Sequence, residues 1–240
     1  MTWTFDEEHR FYENHGLFDA YMFQSQHQND LISAKLRKYG DIDNRSWLIR
    51  GCFSLDEFPF EPRKHSSGDI FHIGRISRDD PDKYSSNTFP IYQRIPYPCR
   101  ARLMAWNQKV EKKLGKPPHW VETLEANQES PQEFFRTLHC MVQINGGAGE
   151  NWPRSGLEAM ASGVPVVVQN NWGWKEMIRH KHTGFLCGTD DDISYYPAVL
   201  ARDEDLRMEI ATNARKSLEE ELANPEVLWD AWKRLFSSLS

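Results

Sequence analysis

The sequence predicts an α/β fold, a parallel sheet flanked by helices, and three observations carry that expectation. Short apolar runs alternate with helical stretches from Ile70 onward, the pattern of parallel strands joined by crossover helices. One run, "PVVVQN" (165–170), is almost unbroken in apolar character, as a strand buried on both faces requires. A glycine-rich loop, "GGAGE" (146–150), follows another apolar run directly. That places it at the carboxyl edge of the sheet, where open α/β sheets bind ligands.

The elements follow in order. "FDAYMFQS" (18–25) reads as a strand, "QNDLISAKLRKYG" (28–40) as a helix closed by Gly40, and "SWLIRGC" (46–52) as a second strand. "LDEFPFEPRKHSSGD" (55–69) is rich in proline and polar residues and reads as a linker. "IFHIGRI" (70–76) is a strand, "SRDDPDKYSSN" (77–87) a polar loop, and a short helix is expected before Pro96. "RLMAW" (102–106) and "HWVETL" (119–124) are strands, with the helix "NQKVEKKLG" (107–115) between them. "SPQEFFRTLH" (130–139) is a helix with Ser130 as N-cap and Pro131 at its first position. The strand "CMVQIN" (140–145) leads into the glycine loop, and "SGLEAMASG" (155–163) is the helix beyond it. After "PVVVQN" come a short helix, "WKEMIRH" (174–180), and a short strand, "TGFLC" (183–187). The tail from Asp190 is helical, with Asp190, Asp191 and Asp192 as a cap cluster rather than a metal motif. In the last helix Leu228, Trp229, Trp232, Leu235 and Phe236 share one face, which is expected to be core.

The chain has 240 residues, 39% of them hydrophobic, enough for one large domain or two small ones. A net charge of -6 argues against a nucleic-acid partner held by bulk charge. No apolar run reaches the roughly eighteen residues of a membrane span. The acidic start "MTWTFDEEHRFYENHG" lacks the basic and apolar parts of a signal peptide. Cys52, Cys99, Cys140 and Cys187 form no CxxC pair, so free thiols in a reducing compartment are expected. A cytoplasmic location is the expectation, with neither a metal nor another cofactor required.

The glycine loop carries the chemistry. Gly146, Gly147 and Gly149 let the backbone approach a ligand closely. The helix that starts near Ser155 offers unpaired amides suited to a phosphate. Glu150 and Glu158 do not suit an anion; each carboxylate would accept hydrogen bonds from neutral hydroxyls. Hydroxyls at both ends with phosphates between describe a nucleotide-sugar. The dinucleotide pattern GxGxxG fails, because Trp152 stands where its third glycine belongs.

The run from Glu150 to Glu158 is E-x7-E, followed by "LEAMASGVPVV" (157–167), Gly173, Glu176 and "HTGFL" (182–186). Upstream stand "HIGRISRDDPDKY" (72–84) and "WLIRGCFSLDEFPFEP" (47–62). From about Phe18 to Leu235 the chain resembles the retaining glycosyltransferases of family 4, also called group 1 glycosyltransferases. The resemblance implies the GT-B architecture, in which two Rossmann-like domains face a cleft. It implies that residues 66–240 are the donor domain and residues 1–65 a short remnant of the acceptor-side domain with the linker. It further implies that Arg75 and Lys83 clamp the donor diphosphate, that Glu150 meets the transferred sugar and that Glu158 meets the ribose. Arg75, Lys83 and Glu150 are the implied catalytic residues. Gly74, Gly149, Asn151, Trp152, Ser155, Gly156, Leu157 and Glu158 are the implied donor-binding set.

Several residues depart from the family pattern. Pro153 removes an amide donor, Asn151 and Trp152 replace the commoner Gly and Phe, and the loop before Lys83 is long. The expected function is transfer of a sugar from a nucleotide-sugar to a glycan, lipid or small-molecule acceptor, with retention. The alternative is a non-catalytic module that binds a nucleotide-sugar or docks on a partner. A homo-oligomer, or a partner that supplies the acceptor domain, fits either. A dehydrogenase-like dinucleotide protein ranks third.

Overall fold

The computed structural model describes residues 5–239. The chain forms two lobes, each built on a parallel sheet. The smaller contains α1 (Asp6–His15), β1 (Tyr21–Phe23), α2 (Gln26–Leu36) and β2 (Ser46–Leu48). Its strands are parallel, with Tyr21 opposite Ser46 and Phe23 opposite Leu48. Sequence patterning assigns no element to α1. It is held by its ends and by tertiary contact: the Glu8 carboxylate accepts from the Phe5 amide at 3.0 Å, and Tyr12 is buried against Phe18 and Tyr39. Helix α2 starts where Ser25 Oγ accepts from the Gln28 amide. The second strand ends at Leu48, four residues short of the expected limit.

The larger lobe contains β3 (Phe71–Ile76), α3 (Thr88–Gln93), β4 (Cys99–Met104), α4 (Gln108–Leu114), β5 (Val121–Leu124), α5 (Pro131–Arg136) and β6 (Cys140–Gln143). It continues through α6 (Arg154–Ala161), β7 (Val166–Gln169), α7 (Trp174–Met177), β8 (Phe185–Cys187), α8 (Asp190–Arg202), α9 (Glu204–Ser217) and α10 (Pro225–Ser238). Its six strands are all parallel, in the order β5-β4-β3-β6-β7-β8. The expected parallel sheet flanked by helices is present. Both faces are buried: Val166 and Val168 enter one core cluster and Val167 the other. This alternation between two covered faces is why the run is apolar throughout. Ser130 caps its helix as expected, while Thr189 rather than the aspartates alone caps the Asp190 helix. Ser130 and Glu133 make a reciprocal box, and Thr189 and Asp192 make another in front of the Asp190 helix.

The stretch expected as a linker lies as a belt against the larger lobe. Phe53 and Phe58 belong to that lobe's core. Arg215 donates to the Phe58 carbonyl at 2.8 Å and Arg207 to the Arg63 carbonyl at 2.6 Å. His139 fixes the far end. The His72 amide donates to its Nδ1 at 2.9 Å, so Nε2 carries the proton and donates to the Lys64 carbonyl at 3.2 Å.

The stripe on α10 departs from the expectation of core. Leu228 and Leu235 are buried, but Trp229 is 55% exposed and Phe236 52%. The two leucines, seven positions apart, are the buried residues of the helix, and Trp232 is half-buried. The aromatic residues instead wall an apolar groove of about 400 Å³ with Arg50 and Cys52.

Candidate functional site

Strand order reverses between β3 and β6, so the loops leaving these neighbours diverge and open a crevice at the carboxyl edge. The two loops are stitched together. The Ala148 amide donates to the Asp82 carbonyl at 3.0 Å, and the Ser85 amide to the Ile144 carbonyl at 3.3 Å. Lys113 donates to the carbonyls of Pro81 and Gly146. The fit requires glycine at Gly146, where a Cβ would lie 1.9 Å from the Tyr84 carbonyl oxygen. The same holds at Gly173, where a Cβ would meet the Asn151 oxygen at 1.8 Å.

Lys83 and Glu150 meet here as an ion pair: Nζ lies 3.0 Å from Oε1, with both side chains largely buried. Gln143 Nε2 donates to the same carboxylate at 3.2 Å and to Asn145. Glu158 is buried two turns further on, and Arg154 donates to it at 3.1 Å. Burial raises the Glu158 carboxyl above its ordinary range, and the Arg154 hydrogen bond opposes that shift.

Two cavities adjoin along this edge. One, of about 400 Å³, is lined by Gln24, Arg78, Asp80, Lys83, Glu150 and Trp152, among others. The second, of about 460 Å³, is lined by Arg78, Lys83, Asn127, Glu150, Ser155 and Glu158, among others. The first also takes in Gly149 and Asn151. Trp152 lies under the Arg50 guanidinium at 4.3 Å. No side chain caps α6, whose N-cap is Pro153, so its opening amides remain available beside Ser155.

The other sequence-predicted residues lie outside both cavities. Arg75 is 0% exposed. It donates to the carbonyls of Ile144 at 2.8 Å and Lys83 at 2.7 Å, and its guanidinium packs on the Tyr84 ring. Gly74 is a packing position in β3, with space for no Cβ beside the Arg102 carbonyl. The Gly156 amide is spent on the Pro153 carbonyl, and its Cα faces Trp174. Leu157 sits in the core. Glu176 spans the lobes instead of serving its own helix. Its carboxylate accepts from the Gln26 and His27 amides at 2.9 and 3.0 Å, at the start of α2. Among the described residues, no cluster of three or more His, Cys, Asp or Glu could hold a metal ion.

The cavities also take in Gln24, Arg78, Asn127 and Arg154, which sequence reasoning did not single out. The available signal for Arg78 was its place in the charged loop between two family-like positions, Arg75 and Lys83. Gln24 gave none, since only the docking of the lobes brings the end of β1 to the crevice.

The chain is similar to known glycosyltransferases in sequence and in fold. Residues 107–217 match the family described as Glycosyl transferases group 1. A stretch of 74 residues is 34% identical to N-acetyl-alpha-D-glucosaminyl L-malate synthase of Bacillus anthracis, covering 30% of this chain and 19% of that protein. HepE of Anabaena in complex with UDP-glucose superposes with a TM-score of 0.72 at 18% identity, over 91% of this chain and 64% of that one. TarM of S. aureus in complex with fondaparinux, alpha-GlcNAc-glycerol and UDP gives 0.73 at 18% identity, over 97% of this chain and 47% of that one. The fold is therefore that of GT-B glycosyltransferases, and this chain spans less than two thirds of the length of either structure.

Proposed function

We propose that this chain is a group 1 glycosyltransferase that binds a nucleotide-sugar and transfers the sugar with retention to a hydroxyl acceptor. The carrying observation is the pair of cavities that meet at Lys83 and Glu150, one running to Glu158 and the open amides of α6. In this reading Glu158 accepts from the ribose hydroxyls, Glu150 from the sugar hydroxyls, and Ser155 with its neighbouring amides meets phosphate. Residues 66–240 hold the donor, and residues 1–65 face the acceptor, a glycan, lipid or small molecule. The protein would work in the cytoplasm, and no step calls for a metal. The sharing of UDP among the complexes of HepE and TarM makes a nucleoside diphosphate the first ligand to try.

The chemistry follows from charge. The bond from the sugar's anomeric carbon to the diphosphate oxygen breaks, and the electron pair leaves with that oxygen. The acceptor oxygen bonds to the same face of the sugar, and its proton passes to the departing phosphate oxygen. Lys83, released from Glu150 as donor enters, balances the growing negative charge. Arg75 acts from below, holding the carbonyls of Ile144 and Lys83 so that both loops keep their places.

One observation favours a binding module that transfers nothing: in the cavity beside Glu150, Gln24 is the sole lining residue from the smaller lobe. Calorimetric titration with UDP, GDP, ADP and NAD tests the donor site. One nucleoside diphosphate is expected to bind, and Glu158→Ala to weaken it by roughly tenfold or more, as loss of a hydrogen bond to a charged group predicts. Binding of NAD alone, or of nothing, overturns the proposal. Release of free sugar from the matching nucleotide-sugar separates an enzyme from a binding module.

A further inference from the structure

Three cavities run in line from Glu150 to the aromatic face of α10, and their lining turns from polar to apolar along the way. We propose that the acceptor is an amphiphile, with a hydroxyl-bearing head beside Glu150 and an uncharged alkyl tail laid along α10. The inference rests on the donor reading above and deepens it by naming the acceptor's chemistry.

Shared residues make the line. The cavity beside Glu150 meets a middle cavity of about 430 Å³ at Gln24, just beyond the end of β1. The middle cavity shares Arg50, Cys52 and Trp232 with the α10 groove. Arg50 also packs on Trp152, a wall of the first cavity, so a packed contact joins the two ends.

Polarity falls in the same direction. The first cavity offers Asp80, Lys83 and Glu150. The middle one mixes Gln24 and Gln28 with Met22 and Ile49. The groove is walled by Leu228, Trp229 and Trp232. Arg50 is the one charged residue in the last two linings, and its guanidinium is taken up by Glu176 at 3.7 Å and by the Trp152 ring. An ionic ligand finds no free partner there, whereas an alkyl chain finds a surface to cover. Met22 and Trp229 each leave about half of their apolar surface in water. The groove's volume of about 400 Å³ lies within the roughly 300–1,000 Å³ of sites that take small ligands. Continuity with the reaction site selects a ligand that spans both regions over a protein that covers the groove alone.

Cys52 provides a reporter where the two apolar cavities join. It is the exposed thiol; burial raises the other three, Cys99 and Cys187 to about 12, so iodoacetamide should alkylate Cys52 first. The probes are methyl, hexyl, octyl and decyl glucoside, kept below their micelle concentrations. They are added to wild type holding the nucleoside diphosphate that it binds. Protection of Cys52, read by mass spectrometry, should strengthen roughly tenfold for every two methylenes, and methyl glucoside should protect nothing. Met22→Ala should weaken all three tails, and Trp229→Ala, further along, only octyl and decyl. With the matching nucleotide-sugar in place of the diphosphate, octyl glucoside should take up sugar faster than methyl glucoside. A flat dependence on tail length overturns the inference and leaves the donor reading standing. So does a dependence that Trp229→Ala leaves unchanged, since α10 would then lie outside the tail's path. Protection without any gain in transfer detaches the groove from the reaction and overturns it as well. So does a Cys52 that resists alkylation with no glucoside present in a protein that sediments as a dimer, because a second copy then covers the face. Failure of wild type to bind any nucleoside diphosphate removes the donor reading itself, and this inference with it.

Discussion

The two lobes solve the same problem with different means. The six-stranded lobe covers both faces of its sheet, with Met141 turned to one core and Val142 to the other. The two-stranded lobe closes a single small core around Tyr12, Phe23, Ile32 and Leu36, and leaves Phe18, Met22, Leu31 and Leu48 exposed. Two strands of three residues bury too little surface to stand alone. The smaller lobe therefore takes part of its hold from the larger, through α7. This four-residue helix buries Trp174 on one side and presents Glu176 to the amides of α2 on the other. The comparison teaches that the order of one lobe is a property of the other, and that the link is narrow enough to cut.

The largest expected effect comes from breaking both lobes at once. Trp174 is 1% exposed and packs against Gly156 and Met177 in the core. Trp174→Ala should cost about 3–5 kcal/mol in chemical denaturation, the usual loss for an aromatic deleted from a packed core. Because α7 carries Glu176 too, protection of the α2 amides from hydrogen exchange should fall with it. Survival of the smaller lobe's protection would show that it stands by itself.

Acid should separate the lobes by chemistry. Burial, with Arg63 and Arg207 nearby, lowers His139 from about 6.5 to about 3. Above the upper value neither the folded nor the unfolded chain holds the proton. As pH falls below it, the unfolded chain takes up a proton that the folded one refuses. Stability is thus lost progressively as pH falls from about 6.5 toward 3. Protonation also ends the bond from the His72 amide to Nδ1. Denaturant midpoints measured across that window should decline for wild type and decline less steeply for His139→Gln. Parallel curves would remove His139 from the account.

The smallest effect sharpens the comparison most. Glu176→Gln keeps the shape of the link but loses its charge beside the α2 amides and Arg50. A loss of about 1–2 kcal/mol is expected, as for a helix N-cap. Hydrogen exchange should speed at Gln26 and His27 and stay unchanged in α9. Equal acceleration in both places would mean that the lobes open as one unit.

Much of this was legible in the sequence, because local rules and the fold agree there. The alternation of strands and helices and the N-cap at Ser130 rest on hydrogen bonds a few residues long. The E-x7-E spacing placed Glu150 and Glu158 at the same crevice, which the structure shows. What was illegible depends on distant partners. An arginine after a strand glycine looks the same whether it meets solvent or, as Arg75 does, two buried carbonyls from Lys83 and from Ile144. Helical periodicity put Trp229 and Phe236 on the same face as Leu228, but it does not say how wide the covered stripe is. Nor could it show that the proline-rich stretch after Leu55 is fastened down.

That belt has a consequence in time. Its partners arrive late along the chain: Arg207, Glu204 and Arg215 stand 144, 139 and 157 residues beyond the positions they grip. Closing loops of that length is entropically costly and slow relative to local structure. All three grips project from α9, Glu204 from its first position. Until that helix has formed, the belt lacks these anchors, and the smaller lobe, synthesised ahead of the larger, is tied to the crevice by a belt fastened only in part.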